Sequence, residues 1–303
     1  MKGKFRKIAT ARISNSNFRS AQTSKGARNR ILPYFCLIPN ALALDAALFA
    51  TCWQGMANGS FGMAYSWFHG LLVVLAVWLG YTADRLVDAV GMKQNAQTVR
   101  HRLVQRHRKA LFFAWVIVLA GSITLAVTYL SSKELVTGFA LAMACVANAC
   151  LNYLDPKGRL PIPKELRASV LLASGIHWVL WSQLTAISFP FVLSCLAVTL
   201  LCFINCCFIS KWERQLDLKQ GQSSLALRRR FVSEQVAGIT LVTATLCLLI
   251  GALGAHCPQG LMFQATAVAL FALPIIDHTK LHPEDKRIIA DASLFLPCLL
   301  LVS

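Results

Sequence analysis

An all-α integral membrane fold, nine transmembrane helices with the N-terminus in the cytoplasm, is what this sequence predicts, on three observations. The 303 residues are 56% hydrophobic and only 14% charged, too little charge to cover a soluble domain of this size. The apolar residues fall into runs of roughly 17–25, the length a helix rising about 1.5 Å per residue needs to cross a bilayer. Lys and Arg, finally, gather on one side of a chain threaded in that way.

In chain order the runs lie near 33–53, 61–83, 110–130, 135–152, 168–187, 189–210, 235–256, 260–276 and 288–302. The third, "ALFFAWVIVLAGSITLAVTYL", carries no charge, and the last two are short. Pro190, next to the fifth and sixth runs, suits a tight turn between antiparallel helices. With the N-terminus inside, 29 of the 30 Lys and Arg fall in cytoplasmic segments, and only Lys133 on the other side. A wrong span count would scramble that partition. The formal charge of +17 is therefore mostly an orientation signal, and it gives no reason to invoke a nucleic acid.

Residues 1–30 hold nine bases and no acid. This is the composition of a disordered cytoplasmic tail held near anionic lipid, and also that of an organelle transit peptide. The tail is the preferred reading, which places the protein in a bacterial inner membrane. Residues 31–303 then form one transmembrane domain. The eleven cysteines lie mostly inside spans with no CxxC pair, so they read as small hydrophobes, with neither disulfides nor zinc expected. His101 and His107 sit in a basic loop, a poor setting for a metal cation.

Two runs end alike. "ADRLVD" closes the second with Asp84-Arg85-Leu86-Val87-Asp88, and "WERQLD" closes the sixth with Glu213-Arg214-Gln215-Leu216-Asp217. Both have the form acid–Arg–x–x–Asp. At i, i+4 spacing each acid pair lies on one helix face, where like charges repel unless a cation sits between them. Any one such pair is most simply a solvated helix end. The recurrence four helices on, at the same membrane face, suggests an internal four-helix repeat with a ninth span added, and repeats in membrane proteins commonly share a site at their interface. Four carboxylates there suit Mg²⁺, which takes one or two carboxylates plus substrate phosphates. The loop "YLDPKGRLPIPKELR" adds Lys157, Arg159, Lys164 and Arg167 on the same side, cations that serve phosphate oxygens, although insertion bias also accounts for each of them.

On these motifs the chain resembles the UbiA superfamily of intramembrane prenyltransferases, which have nine helices and aspartate-rich motifs ending helices 2 and 6. The family's Asn-Asp-x-x-Asp-x-x-x-Asp overlays "GYTADRLVD", placing its later aspartates on Asp84 and Asp88 and an intervening arginine on Arg85. Its second motif overlays "ERQLDLKQG", at Glu213, Asp217 and Gly221, and a Tyr-x-x-x-Lys element matches Tyr153 and Lys157. Gly80 and Tyr81 replace the first Asn-Asp, and Glu213 an Asp. The first change removes a carboxylate; the second keeps the ligand type on a longer arm.

The resemblance implies Mg²⁺-dependent transfer of a prenyl group from a polyprenyl diphosphate to a lipid-soluble acceptor, an aromatic one included. Asp84, Asp88, Glu213 and Asp217 would be metal ligands and catalytic residues. Lys157, Arg159, Arg85, Tyr153, Asn205 and Asp45 would contact substrate, and Trp78, Trp178 and Trp181 would shelter an allylic cation. Asp45, mid-span, reads equally as part of an acceptor pocket and as a protonated or hydrogen-bonded helix contact. Asn40, His69, His177 and Asn205 read as interhelical hydrogen bonds, and Asp291 as a structural partner of Arg287 at i−4. The alternatives are a UbiA-type terpene cyclase, a catalytically silent lipid-binding member of the fold, and an ion-coupled transporter. The short, nearly uncharged outer loops argue against the last.

Overall fold

The structure, a computed structural model, describes residues 32–91, 99–155, 158–184, 186–221, 223–254 and 256–301. The 1–30 tail and Lys157 lie outside them, as do the side chains of Asp88 and His101. Among the described residues there are helices and no strands. In order they are α1 Tyr34–Ala41, α2 Leu44–Ser60, α3 Trp67–Gly91, α4 Val99–Tyr129, α5 Ser132–Leu154, α6 Lys164–Ile176, α7 Trp178–Gln183, α8 Phe189–Gln220, α9 Leu225–Arg228, α10 Arg230–Leu253, α11 Gly260–His278, α12 Pro283–Ser293 and α13 Leu296–Leu301.

Six stretches are long and apolar enough to cross a membrane: Trp67–Val87, Arg102–Tyr129, Ser132–Leu154, Phe189–Gln220, Val232–Leu253 and Gly260–His278. The second and third of these bury almost none of their surface in protein. Phe113, Ile117 and Val127 on α4, and Val136 and Phe139 on α5, are exposed. In water such faces would aggregate, whereas in lipid they meet a matching solvent.

The other three predicted spans are each divided. The first breaks between α1 and α2 at Ala43, which is fully buried and takes a left-handed backbone conformation (φ 58°), one that costs an L-residue roughly 1–2 kcal/mol. The fifth breaks between α6 and α7 at His177 (φ −98°, ψ 6°). Its ring bonds the Ala173 carbonyl at 2.9 Å and Ser194 Oγ at 3.0 Å. The ninth breaks at Leu294 and Phe295, between α12 and α13. Trp53 of α2 donates its indole N–H to the Leu294 carbonyl at 3.0 Å, meeting an acceptor at the break. Trp53 is fully buried, so Trp53→Phe orphans that carbonyl and should destabilise the protein by about 1–3 kcal/mol. A thermal melt in detergent that is unchanged within error would refute this.

The core lies where α2, α6, α7, α8, α11 and α12 meet, around Trp53, Ile176, Leu180, Phe191, Phe208, Leu201 and Leu270. Pro190 sits in the first turn of α8, and the Ser188 hydroxyl accepts the Phe191 N–H. At 32 residues α8 runs about 48 Å, well beyond a hydrocarbon layer of about 30 Å. Its C-terminal turns, with Glu213 and Asp217, therefore project past one membrane thickness before Gly221 (φ 69°) caps the helix. At this end Asp277 of α11 clamps α8, accepting from Lys211 Nζ and Trp212 Nε1, each at 2.7 Å. Lys286 of α12 adds a bond to the Asp277 carbonyl at 2.7 Å.

Candidate functional site: a buried acid–amide–arginine network

The two repeated motifs present themselves differently. On α3, Asp84 is exposed while Arg85, about 100° further round the helix, is buried. Arg85 donates from a guanidinium nitrogen to the Ala41 carbonyl at the end of α1. A cation at a helix C-terminus answers both the free carbonyls and the negative end of the dipole. On α8, Glu213 and Asp217 are both buried on one face. Arg287 of α12 reaches Glu213 with one nitrogen, 3.2 Å from Oε1 and 3.4 Å from Oε2.

From Arg287 the polar contacts continue inward. Its Nε lies 3.9 Å from Asp291, one turn along α12. Asp291 in turn accepts from Asn205 Nδ2 of α8 at 3.1 Å and from Asn40 Nδ2 of α1 at 2.8 Å. The same Asn40 nitrogen bonds Asp45 Oδ2 at 2.5 Å. Asp45, in the first turn of α2, accepts the Ala46 N–H at 2.8 Å, a favoured place for a carboxylate. The break at Ala43 is what brings Asp45 back over Asn40. Without it, two residues five apart on a continuous helix would point more than a hundred degrees apart.

The structure thus joins Asp45, Asn205 and Glu213, with Arg85 next to Asn40 through the α1 carboxyl end. Asn40, Asp291 and Arg287, expected from the sequence only as helix contacts, join it. The i, i+4 pairing of Arg287 with Asp291 is present, but Asp291 also holds α1 and α8 together. A signal for its larger role was available: it is a carboxylate inside an apolar run. Asp84 does not share in this network. Among the described residues three carboxylates (Asp45, Asp291 and Glu213) thus meet Asn40, Asn205 and Arg287, with Arg85 at the edge of the network and Asp217 buried one turn along α8 from Glu213.

The loop residues lie at the same end. Asp155 accepts the backbone N–H groups of Arg159 and Leu160 at 2.8 and 2.7 Å, and these bonds hold its carboxyl below the usual range. Arg228 reaches the Leu160 carbonyl at 3.3 Å. Glu165 accepts the Leu225 N–H at 2.8 Å, and Ser210 Oγ the Ala226 N–H at 3.0 Å. Two inter-helix loops are thereby fastened to each other and to α8. Gly158 sits at their contact with φ 61°, where a Cβ would come within 2.6 Å of Ser223 Oγ. Arg167 is turned to Asn148 and Asn152 (3.0 and 2.5 Å), and Tyr153 is exposed.

Of the aromatic residues, Trp178 packs edge-on to His69 at 5.7 Å. His69 is fifteen residues, about 22 Å, from Asp84 along α3, so Trp178 lies toward the end of the bundle away from the motif acids. Trp181 packs on Phe191 at 4.8 Å. All eleven cysteines are free. Comparison with protein-family models, with curated proteins and with solved structures finds no match.

Proposed function

We propose that this protein is an intramembrane prenyltransferase, taking its donor as a polyprenyl diphosphate and passing the prenyl group to a lipid-soluble acceptor. The observation that supports it is the convergence of both acid–Arg–x–x–Asp motifs on one network, Arg85 through the end of α1 and Glu213 through Arg287. On this reading the three broken helices cross the membrane with the six continuous ones, making nine. The motif ends face the cytoplasm of a bacterial inner membrane.

Among the described residues no three of His, Cys, Asp or Glu are grouped to hold a metal ion by themselves. Mg²⁺ in phosphoryl sites needs only one or two carboxylates, its remaining ligands being phosphate oxygens and water. The donor chemistry of Glu213 and Asp217 fits that division, with Asp84 and Asp88 as the opposite pair. The ion would offset charge gathering on the departing diphosphate. Arg85, Arg159 and Lys157 are the cations for the phosphate oxygens, and Tyr153 is a further contact for the substrate. Asp45 and Asn205 form the polar wall against which the acceptor is oriented.

A second reading, a lipid-diphosphate binder that transfers nothing, gains from two features. Gly80-Tyr81 lacks a carboxylate the family has, and Arg287 already engages Glu213. One experiment tests the shared step. A non-hydrolysable geranylgeranyl diphosphate analogue should raise the melting temperature of the solubilised protein by several degrees only with Mg²⁺, and Asp217→Ala should lose the effect. Absence of stabilisation across a range of prenyl lengths would defeat both readings. Release of pyrophosphate from the hydrolysable donor then separates transfer from binding.

A further inference from the structure

The fifth helix, α5, is held to the rest of the protein along one stripe. Glu134, Gly138, Leu141, Cys145, Asn148 and Asn152 recur at steps of four and three residues and so share a face. All but one of them meet a partner. Glu134 bonds His69 of α3 and Gln183 of α7, each at 3.0 Å. A methyl group at Gly138 would touch the Trp178 ring at 3.8 Å, and one at Gly175 of α6 would touch Leu141 at 3.9 Å. Asn148 and Asn152 accept from Arg167 of α6 at 3.0 and 2.5 Å. The exception is Cys145, in the middle of the stripe, which is exposed. Residues 142–147 are in fact all exposed except at no position, although so long a helical stretch points in every direction. On α6, Leu171 stands midway between Arg167 and Gly175, one turn from each, and is only half-buried, while the adjoining Val170 is exposed. The two helices therefore touch at Leu141 and again at Asn148, about 10 Å along α5, and part in between.

Arg167 closes this parting at the motif end. Its guanidinium gives a third bond, to the Ile162 carbonyl at 3.2 Å. All three acceptors are neutral, and among the described residues no carboxylate pairs with it. The acids of the adjoining loop, Asp155 and Glu165, accept backbone N–H groups instead. Two of the five guanidinium N–H groups are thus left for an anion. Arg167 also faces away from the core. It lies about 200° round α6 from Glu165, which bonds the start of α9, and from the buried Ser169, so it addresses α5 and the lipid rather than the motif acids. Asn148 is six residues, and Asn152 two, from the end of α5 at Leu154. The guanidinium is therefore within about 9 Å of the end of the span, close to the headgroup region of the bilayer.

We propose that the crevice between α5 and α6 binds an anionic phospholipid from the leaflet on the motif side, its phosphate on Arg167 and one acyl chain in the parting at Cys145. Each half of the site asks for one half of that molecule. The remaining guanidinium N–H groups bond phosphate oxygens, and the apolar surface at Cys145, Leu171 and Val170 takes the chain. A net negative headgroup is favoured over a zwitterionic one, whose own ammonium competes with Arg167 for the phosphate. The site stands independently of prenyl transfer.

The test is the rate at which N-ethylmaleimide labels Cys145 in the solubilised full chain, read by mass spectrometry of the labelled peptide. Cys150 is exposed too and lies about 140° further round α5, so it reports labelling outside the crevice. Dioleoylphosphatidylglycerol should slow Cys145 about fivefold relative to Cys150, the value of one good hydrogen bond. Dioleoylphosphatidylcholine should have less than half that effect, and inorganic phosphate none. Arg167→Met should remove the protection, and Arg167→Lys should keep part of it. Melting temperatures should follow the same order. Cys145→Leu keeps the test decisive if Arg167→Met fails to fold. It fills the parting and leaves Arg167 in place, so it should melt above the parent without lipid and gain less than the parent from phosphatidylglycerol. Equal protection by the two lipids, protection unchanged in Arg167→Met, or a full gain in Cys145→Leu would overturn the proposal. So would protection by inorganic phosphate, which would assign a free anion, or protection that appears only as the protein dimerises, which would give the face to a second copy.

Discussion

Replacing Arg287 by methionine should lower the stability of the protein by about 3–5 kcal/mol, the loss seen when one member of a buried ion pair is removed. The side chains of Arg287 and Glu213 are 15% and 6% exposed, and that of Asp291 19%. One guanidinium therefore answers two acids that water barely reaches. Methionine fills similar volume, so the effect reports lost charge rather than a cavity. Arg287→Lys should fall between, because an ammonium cannot serve Glu213 and Asp291 from one planar fork. Adding Glu213→Gln to Arg287→Met should recover more than half of the loss, since the amide no longer needs a cation. A melting temperature for Arg287→Met within a degree or two of the parent would show that the pair contributes nothing, and additive effects in the double variant would show that the two residues do not interact.

Asn40→Ala is expected to be nearly as costly, at about 2–4 kcal/mol. Its Nδ2 donates to Asp45 and Asp291 together, and a hydrogen bond to a charged group is worth roughly 1.5–3 kcal/mol. With the amide gone, the two carboxylates face each other with no donor between them, keeping Asn205 and the Ala46 N–H as donors. Asp291→Asn in the same chain removes the repulsion and returns an amide, so the double variant should melt above Asn40→Ala alone. A double variant that melts lower than either single one would show that Asn40 does not mediate between the acids.

Both effects turn on contacts between residues far apart in the chain, and that distance divides what could be read from the sequence. Helical membrane-spanning character was legible because bilayer thickness dictates the length of each apolar run, and six of the nine runs are continuous helices as read. The interhelical roles of Asn40, His69, His177 and Asn205 were legible too. A polar group inside lipid must find a partner, although the sequence did not say which.

The three breaks were not legible. Ala43 carries no mark of a left-handed residue, and the partners around these breaks come from elsewhere: Trp53 for the Leu294 carbonyl, Arg85 for that of Ala41. Motif spacing placed Asp84 with Asp88 and Glu213 with Asp217, because i, i+4 neighbours share a face whatever surrounds the helix. It could not say that Arg85 rather than Asp84 would turn inward, nor that Arg287, 74 positions from Glu213, would reach it. The sequence by itself determined that this chain is a bundle of helices in lipid with acids near their ends, through hydrophobic length and local periodicity. Which acids meet, and across which helices, was decided only by tertiary packing, because a buried charge is satisfied by whatever the fold brings within about 3 Å of it.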